Sequence, residues 1–163
     1  MFDCYLQIDG IKGESGEDQH KDWIEVLSFN HQIRQKTSST RSSSGGATTG
    51  ASEHGDIYIS KFVDIASPKL FEACSTGKHF AKAAIQFLRQ SGGSKVKYLE
   101  IKIEEILISS IVSDGHKSGD ELQTETIGLN YGKIEWVYTA QKRKDGSGGG
   151  NTTAKYDVMA AKA

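Results

Sequence analysis

The sequence predicts a mainly β domain, a curved sheet closed or nearly closed into a barrel, with one short α-helix at about 68–76. Three observations carry this. Apolar and polar residues alternate over many short runs, the period of half-buried strands. Two of the longest runs change parity midway, at Glu104-Glu105 and at Gly132-Lys133. One segment, opened by Ser67-Pro68, has the start and stop signals of a helix. A one-residue shift would turn a strand's apolar set outward. Each parity change therefore reads as a β-bulge that restores the register and bends the strand, as a closing sheet requires.

In chain order, Phe2, Cys4, Leu6 and Ile8 alternate with Asp3, Tyr5, Gln7 and Asp9 as a first strand. Gly10 to Asp22 is a polar loop. Trp23 to Ile33 reads as a second strand, with Trp23, Leu27 and Phe29 on one parity and Ile24 and Val26 on the other. Residues 36–55 are low-complexity Ser, Thr and Gly, too poor in apolar surface to order alone, and predict a long flexible loop. Asp56 to Val63 is a strand. Ser67 suits a helix N-cap, Pro68 the first helical position and Gly77 the C-terminal cap, with Leu70, Phe71 and Cys74 as the apolar face.

Lys82 to Arg89 is the next strand, and Ser91-Gly92-Gly93 turns the chain into Val96 to Val112, a strand pair or one bent strand. Leu99, Ile101 and Ile103 share a parity there. Beyond Glu104-Glu105, Ile106 and Ile108 take one parity, and Leu107 and Ile111 the other. Residues 113–124 form a polar loop. Ile127, Leu129 and Tyr131 alternate next, and Ile134, Trp136 and Tyr138 follow on the opposite parity. A Gly-rich loop from Lys144 to Asn151 precedes a short strand near Ala154 to Val158. No fixed-period repeat supports a solenoid or propeller.

The 163 residues suffice for one domain, 1–163, with a core. A net charge of −1 gives no case for nucleic acid or an anionic membrane. No apolar run approaches the roughly 20 residues that span a bilayer, so no membrane insertion is expected. The N-terminus lacks the basic and apolar regions of a Sec-type signal peptide. Cys4 and Cys74 read as reduced structural thiols.

Catalytic chemistry finds no anchor. His20, His31, His54, His79 and His116 lie in separate segments. Asp18-x-His20-x-Asp22 reads as a solvated loop, as does His54-x-Asp56. Many of the serines lie in low-complexity loops, and there is no nucleophile elbow. Gly93-Ser94-Lys95 lacks the glycine spacing of a phosphate loop. The Gly146 to Gly150 run reads as a tether, and Lys142-Arg143-Lys144 as a solvated turn. The expectation is a protein that is not an enzyme and needs no cofactor or metal.

The two-faced strands say more. A small closed barrel buries one face of each strand and wets the other. Surplus apolar faces at Ile24 and Val26 against Leu27 and Phe29, and at Ile106 and Ile108 against Leu107 and Ile111, ask for cover. A neighbouring subunit would supply it; so would a two-sheet sandwich.

Several blocks, in order, resemble the Hcp family, the tube protein of bacterial type VI secretion systems. They are YLQIDGIKGES, HKDWIEVLSF, the Ser/Gly segment, DIASPKLFEACSTGKHF, YLEIKIEEILISSIVS and ETIGLNYGKIEWVYTAQKRKDG, spread over residues 2 to 158. The chain departs from the family at Ala140, where Pro is usual, and at Lys155-Tyr156, where the last strand usually begins Gly-Trp. The resemblance implies a closed or nearly closed β-barrel of two packed antiparallel sheets with the helix on its side. It also implies homohexameric rings stacked into a tube within a contractile sheath. Partners would be further copies of the chain, the VgrG spike, the sheath, and effector proteins held in the lumen. The protein would be made in the cytoplasm and then secreted through the type VI system, outside the cell or into a target cell.

Such a function lives in surfaces. Ile106, Ile108 and Val112 are the candidate ring contacts, using spare apolar faces. Ser28, Asn30 and Gln32, at the polar end of the second strand, are the candidate lumen face. Arg41, Ser44, Gly46 and Thr49 lie in the loop that would reach an adjoining ring. A phage-type tail-tube protein and a monomeric small-ligand barrel of lipocalin style are the alternatives.

Overall fold

Two long antiparallel strands, β7 (His79–Ser91) and β8 (Ser94–Asp114), form the spine of the sheet in the computed structural model. They are joined at Gly92 and Gly93, with φ of +55° and +92°. A two-residue hairpin whose twist matches its strands needs positive φ at both central positions, which glycine adopts without strain. The structure describes residues 3–37, 49–115, 122–141 and 148–163.

On one side of the spine, β1 (Asp3–Ile8) pairs with β7 and then with β2 (Ile24–Val26). On the other side, β8 carries two strands end to end. They are β9 (Thr124–Asn130) along its later half and β10 (Lys133–Gln141) along its earlier half. β11 (Gly148–Asp157) edges β10. β6 (Ile57–Phe62) pairs with β9, and β3 (Ser28–Asn30) with β6. The path therefore runs β2-β1-β7-β8-β9-β6-β3. Only Leu27 separates β2 from β3, and its N–H donates to the Ser60 carbonyl at 2.7 Å. One stretch of chain thus brings the two ends of the sheet together, and the barrel nearly closes.

That corner corrects the expected single strand from Trp23 to Ile33. The chain changes partner at Leu27, from β1 to β6. Ile24 and Val26 point into the core before the corner, and Phe29 packs edge-on against Phe87 after it, 5.0 Å between ring centroids. Apolar residues on both parities reflect a turned backbone, which leaves Leu27 at the corner 45% exposed.

The same physics governs the paired parity changes. Ile101 and Ile103 face inward before the change in β8, and Ile106 and Ile108 after it. On the facing strands Tyr131 and Ile134 behave likewise. Glu104 opposes Lys133 and Leu107 opposes Asn130, so equal numbers of residues lie between these pairs on the two strands. The expected one-sided bulges are instead one kink shared by both strands. A one-sided register shift does occur, between Ile108 and Ser110 opposite Leu129 and Gly128.

The helix α1 (Ser67–Thr76) ends at Gly77. Ala66, not Ser67, occupies the N-cap, with no side-chain capping bond. Ser67 is drawn inward: its hydroxyl donates to Glu125 Oε2 at 2.8 Å and accepts from Lys61 Nζ and the Asp64 N–H. Leu70 and Ala73 are buried and Cys74 packs on the core, whereas Phe71 is 39% exposed. A residue directly after an inward Leu lies about 100° around the helix, which takes Phe71 off the packed face.

Loop 10–22 folds back over β1. Gly13 lies so close to Trp23 that an added Cβ would fall 2.3 Å from the Trp23 carbonyl oxygen. His20, expected in solvent, is buried between Tyr5, stacked at 4.5 Å, and the edge of Trp23. Its Nδ1 meets the Glu17 carboxylate and its Nε2 meets Gln86 Oε1 at 2.8 Å.

The Ser/Gly-rich segments also depart from expectation. Ile33–Thr37 (β4) and Thr49–His54 (β5) form a separate antiparallel arm, so both ends of the expected loop are strands. Similarly, β11 begins at Gly148, within the expected glycine loop, because β10 offers it a ladder that runs from Lys133 opposite Asp157 to Thr139 opposite Asn151 and, after a register shift, ends at Gln141 opposite Gly148. Backbone pairing does not depend on apolar side chains, and low hydropathy conceals it. Lys142, Arg143 and Lys144 lie outside the described residues.

Candidate functional site

The register divides the outside of the barrel into two contrasting faces. Directly opposed residues on neighbouring strands share a face. Across β3, β6, β9 and the later half of β8, one row reads Ser28, Ser60, Thr126, Val112, and the next Asn30, Tyr58, Gly128, Ser110. Neither row carries a charge. Ser28 and Ser60 share a hydroxyl hydrogen bond at 2.6 Å, and the Tyr58 ring lies over Gly128. Beneath them, Ile57, Ile59, Ile127 and Leu129 fill the core.

The other face spans β7, the earlier half of β8, β10 and β11. Its rows read Ala84, Lys102, Glu135, Lys155 and Lys82, Glu104, Lys133, Asp157. Three strands carry the same pattern of lysine, apolar residue and carboxylate: Lys102-Ile103-Glu104, Lys133-Ile134-Glu135 and Lys155-Tyr156-Asp157. Antiparallel pairing sets each lysine opposite a carboxylate, so charge alternates across strands as well as along them. These residues line a depression of about 630 Å³ with Asp9 and Lys162.

A third cluster lies at the root of the arm. Tyr131 Oη is 2.7 Å from His31 Nε2 and 2.9 Å from His54 Nδ1. His54 stacks on Tyr156, 4.8 Å between centroids, and Ser52 donates to Tyr156 Oη at 3.4 Å. Burial lowers the pKa of both histidines, and the charge of His54 lowers that of His31 further. Burial, with the Asp56 charge, pushes the Tyr131 hydroxyl up.

Inside the barrel, Lys61 is fully buried and bonded to Asp64 at 2.7 Å, Glu125 at 3.1 Å and Ser67 at 3.0 Å. This ties β6, β9 and the start of α1 together. The signal was present in the sequence: Lys61 continues the inward parity of Ile57 and Ile59. The Cys4 thiol is pushed up to about 12 by burial, as suits an inert core thiol. Among the described residues, no group of three or more His, Cys, Asp or Glu is placed to hold a metal ion.

The sequence-predicted residues separate clearly. Ser28 and Asn30 are exposed together on the uncharged face, whereas Gln32 lies beyond β3, its carbonyl accepting the Gly55 N–H at 2.9 Å. Ile106 and Ile108 are 0% and 2% exposed, so neither is available to a neighbouring subunit. The kink turns them inward, which removes them as ring contacts. Val112 is 51% exposed, at one side of the uncharged face. Thr49 begins β5, and Arg41, Ser44 and Gly46 lie outside the described residues.

Comparison with known proteins agrees with this architecture. A family model described as "Type VI secretion system effector, Hcp" matches residues 5–138. Protein hcp1 of Pseudomonas aeruginosa is 34% identical over 148 residues, spanning 91% of this chain and 90% of that protein. The major exported protein of the same organism is 29% identical over 132 residues, spanning 77% and 74%. A solved structure of a type six secretion system protein superposes with a TM-score of 0.93 at 29% identity, covering 99% of each chain. Hcp1 from Salmonella typhimurium gives 0.81 at 31% identity, covering 99% of this chain and 97% of that one.

Proposed function

This chain belongs to the Hcp family of type VI secretion proteins, and on that premise we propose that it is the repeating subunit of a secretion tube. Six copies close into a ring, and rings stack. The uncharged face of β3, β6, β9 and the later half of β8 lines the channel and holds effector proteins in transit.

The observation that carries this reading is the contiguous uncharged wall on which Ser28 and Asn30 lie. Fixed charge lining a channel attracts cargo of one sign and repels the other. Hydroxyl and amide groups wet the wall without that selection. The alternating-charge face would hold passing cargo less evenly. Val112, at the β8 border of that wall and not over the channel, is the retained candidate contact for a head-to-tail interface that closes into a ring. We assign the β4–β5 arm, with Thr49, to contact with an adjoining ring. A spike of the VgrG kind and a contractile sheath complete the expected partners. The role is structural and not enzymatic, and the path runs from the cytoplasm out through the secretion apparatus. The small-ligand barrel is disfavoured because side chains such as Leu6, Ile24, Ile59, Leu70, Ile85 and Ile103 fill the interior.

Size-exclusion chromatography with light scattering tests assembly. The expected mass is six times the 17.8 kDa chain. A monomer at concentrations on the order of tens of micromolar contradicts the ring. Asn30→Arg should leave rings intact and weaken cargo retention; unchanged retention contradicts the lumen assignment.

A further inference from the structure

Among the described residues, the β4–β5 arm pairs with no strand of the main sheet, and side chains at its root join it to the barrel. We propose that His31, Tyr131 and His54 are a proton-operated latch, which seats the arm when both imidazoles are neutral and frees it when they are protonated.

A phenol hydroxyl has one proton to give and accepts through its oxygen. With both imidazoles neutral, Tyr131 donates to one contacting nitrogen and accepts an N–H from the other. All three groups are then satisfied at 2.7 and 2.9 Å. A proton taken up by the imidazole that accepts from Tyr131 puts N–H on both contacting nitrogens, and the Tyr131 O–H loses its acceptor; the other imidazole takes its proton on the nitrogen away from Tyr131. The two protons together bring two imidazolium rings onto one oxygen.

No neighbouring charge relieves this. On the arm, Lys36 and Glu53 pair with each other at 2.6 Å, and Arg34 lies on the same sheet. Asp56, just before β6, is the carboxylate whose charge reaches Tyr131, and it is committed to Ser109 Oγ and Asn130 Nδ2 at 2.6 and 2.8 Å. From β8, Glu105 borders Gly132, the residue after Tyr131. From β11, Tyr156 presents an aromatic face to His54. Among the described residues, no ion pair reaches either imidazole.

The sign follows from burial, which lowers both histidine pKa values in the seated state. The seated arm binds protons more weakly than the freed arm. Seating is therefore complete above the ordinary histidine pKa of about 6.5 and is lost as pH falls below it. The latch lies within one chain, so it holds whether or not copies assemble, and its failure would leave the tube reading untouched.

Hydrogen exchange on the 163-residue chain at pH 8 and pH 5, corrected for the intrinsic pH dependence of exchange, tests it. Amides of Thr49–His54 should exchange roughly tenfold or more faster at pH 5, while those of Ala83–Leu88 in β7 stay protected. The double variant H31Q/H54Q keeps polar side chains that cannot titrate, and it should show no pH step. Equal arm protection at both pH values, equal loss of protection in β7, or a step that persists in H31Q/H54Q would each overturn the latch.

Discussion

Gly132 and Glu105 face each other where both long strands turn over. The Gly132 N–H is shared between the Glu104 and Glu105 carbonyls at 3.0 and 3.2 Å, and Glu105 adopts a left-handed backbone with φ of +56°. The kink lets β8 and its partners keep apolar residues inward on both sides of the bend. It also leaves the outside of the barrel with two chemically different faces, one with two uncharged rows and one of alternating charge.

This geometry leaves no room at Gly132. An added Cβ would lie 2.9 Å from both Glu105 Cβ and Met159 Sδ. Gly132→Val should destabilise the fold by about 1–3 kcal/mol, the usual cost of overpacking, as measured by urea denaturation. A variant as stable as the parent would show that the kink tolerates a side chain.

Burial separates two residues that alternation alone placed together. Ile106→Ala should cost about 2–5 kcal/mol of chain stability, because it opens a cavity in the core. Val112→Ser should change chain stability by no more than about 0.5 kcal/mol and, on the proposed ring, should weaken assembly. Denaturation of each variant alongside light scattering checks the two effects independently.

The contrast between these two shows what was legible. Inward alternation identified most of the core, and Gly92-Gly93, Pro68 and Gly77 marked their turn and helix ends, because each uses local chemistry. Leu27 did not announce a corner, since a change of partner strand is not a local property. The surplus apolar parity near Ile106 was visible, but its cause lay in the facing strand at Gly132. Arm strands beginning at Ile33 and Thr49 were obscured by Ser/Thr/Gly composition, because ladder hydrogen bonds come from the backbone. His20 looked solvated until Tyr5 and Trp23 closed around it. Ser28 and Asn30 were recognisable as polar strand residues, but the uncharged wall around them required the register of β6 and β9.

Lys61 sits between two carboxylates in a site without water access to its side chain. Lys61→Met should cost about 3–5 kcal/mol, since it leaves Glu125 and Asp64 without their cation. Thermal unfolding measures this, and a loss near zero would mean that the cluster does not anchor α1.

On the charged face, Lys133 faces Glu104 and Asp157 across the ladder and stands two residues from Glu135 along its own strand. Lys133→Glu would surround one carboxylate with three others. Tm should fall by a few degrees at low ionic strength, and most of the loss should be recovered at about 0.5 M salt, where screening is short-ranged. A deficit that does not depend on salt would point to packing and not to charge.

The proposed tube turns one face of this barrel toward the channel. Cryo-electron microscopy of the purified chain tests it in one reconstruction. The expected result is a six-membered ring whose hole is lined by Ser28, Asn30, Ser60 and Thr126. A monomer, or a ring whose hole is lined by Lys102, Lys133 and Lys155, would contradict it.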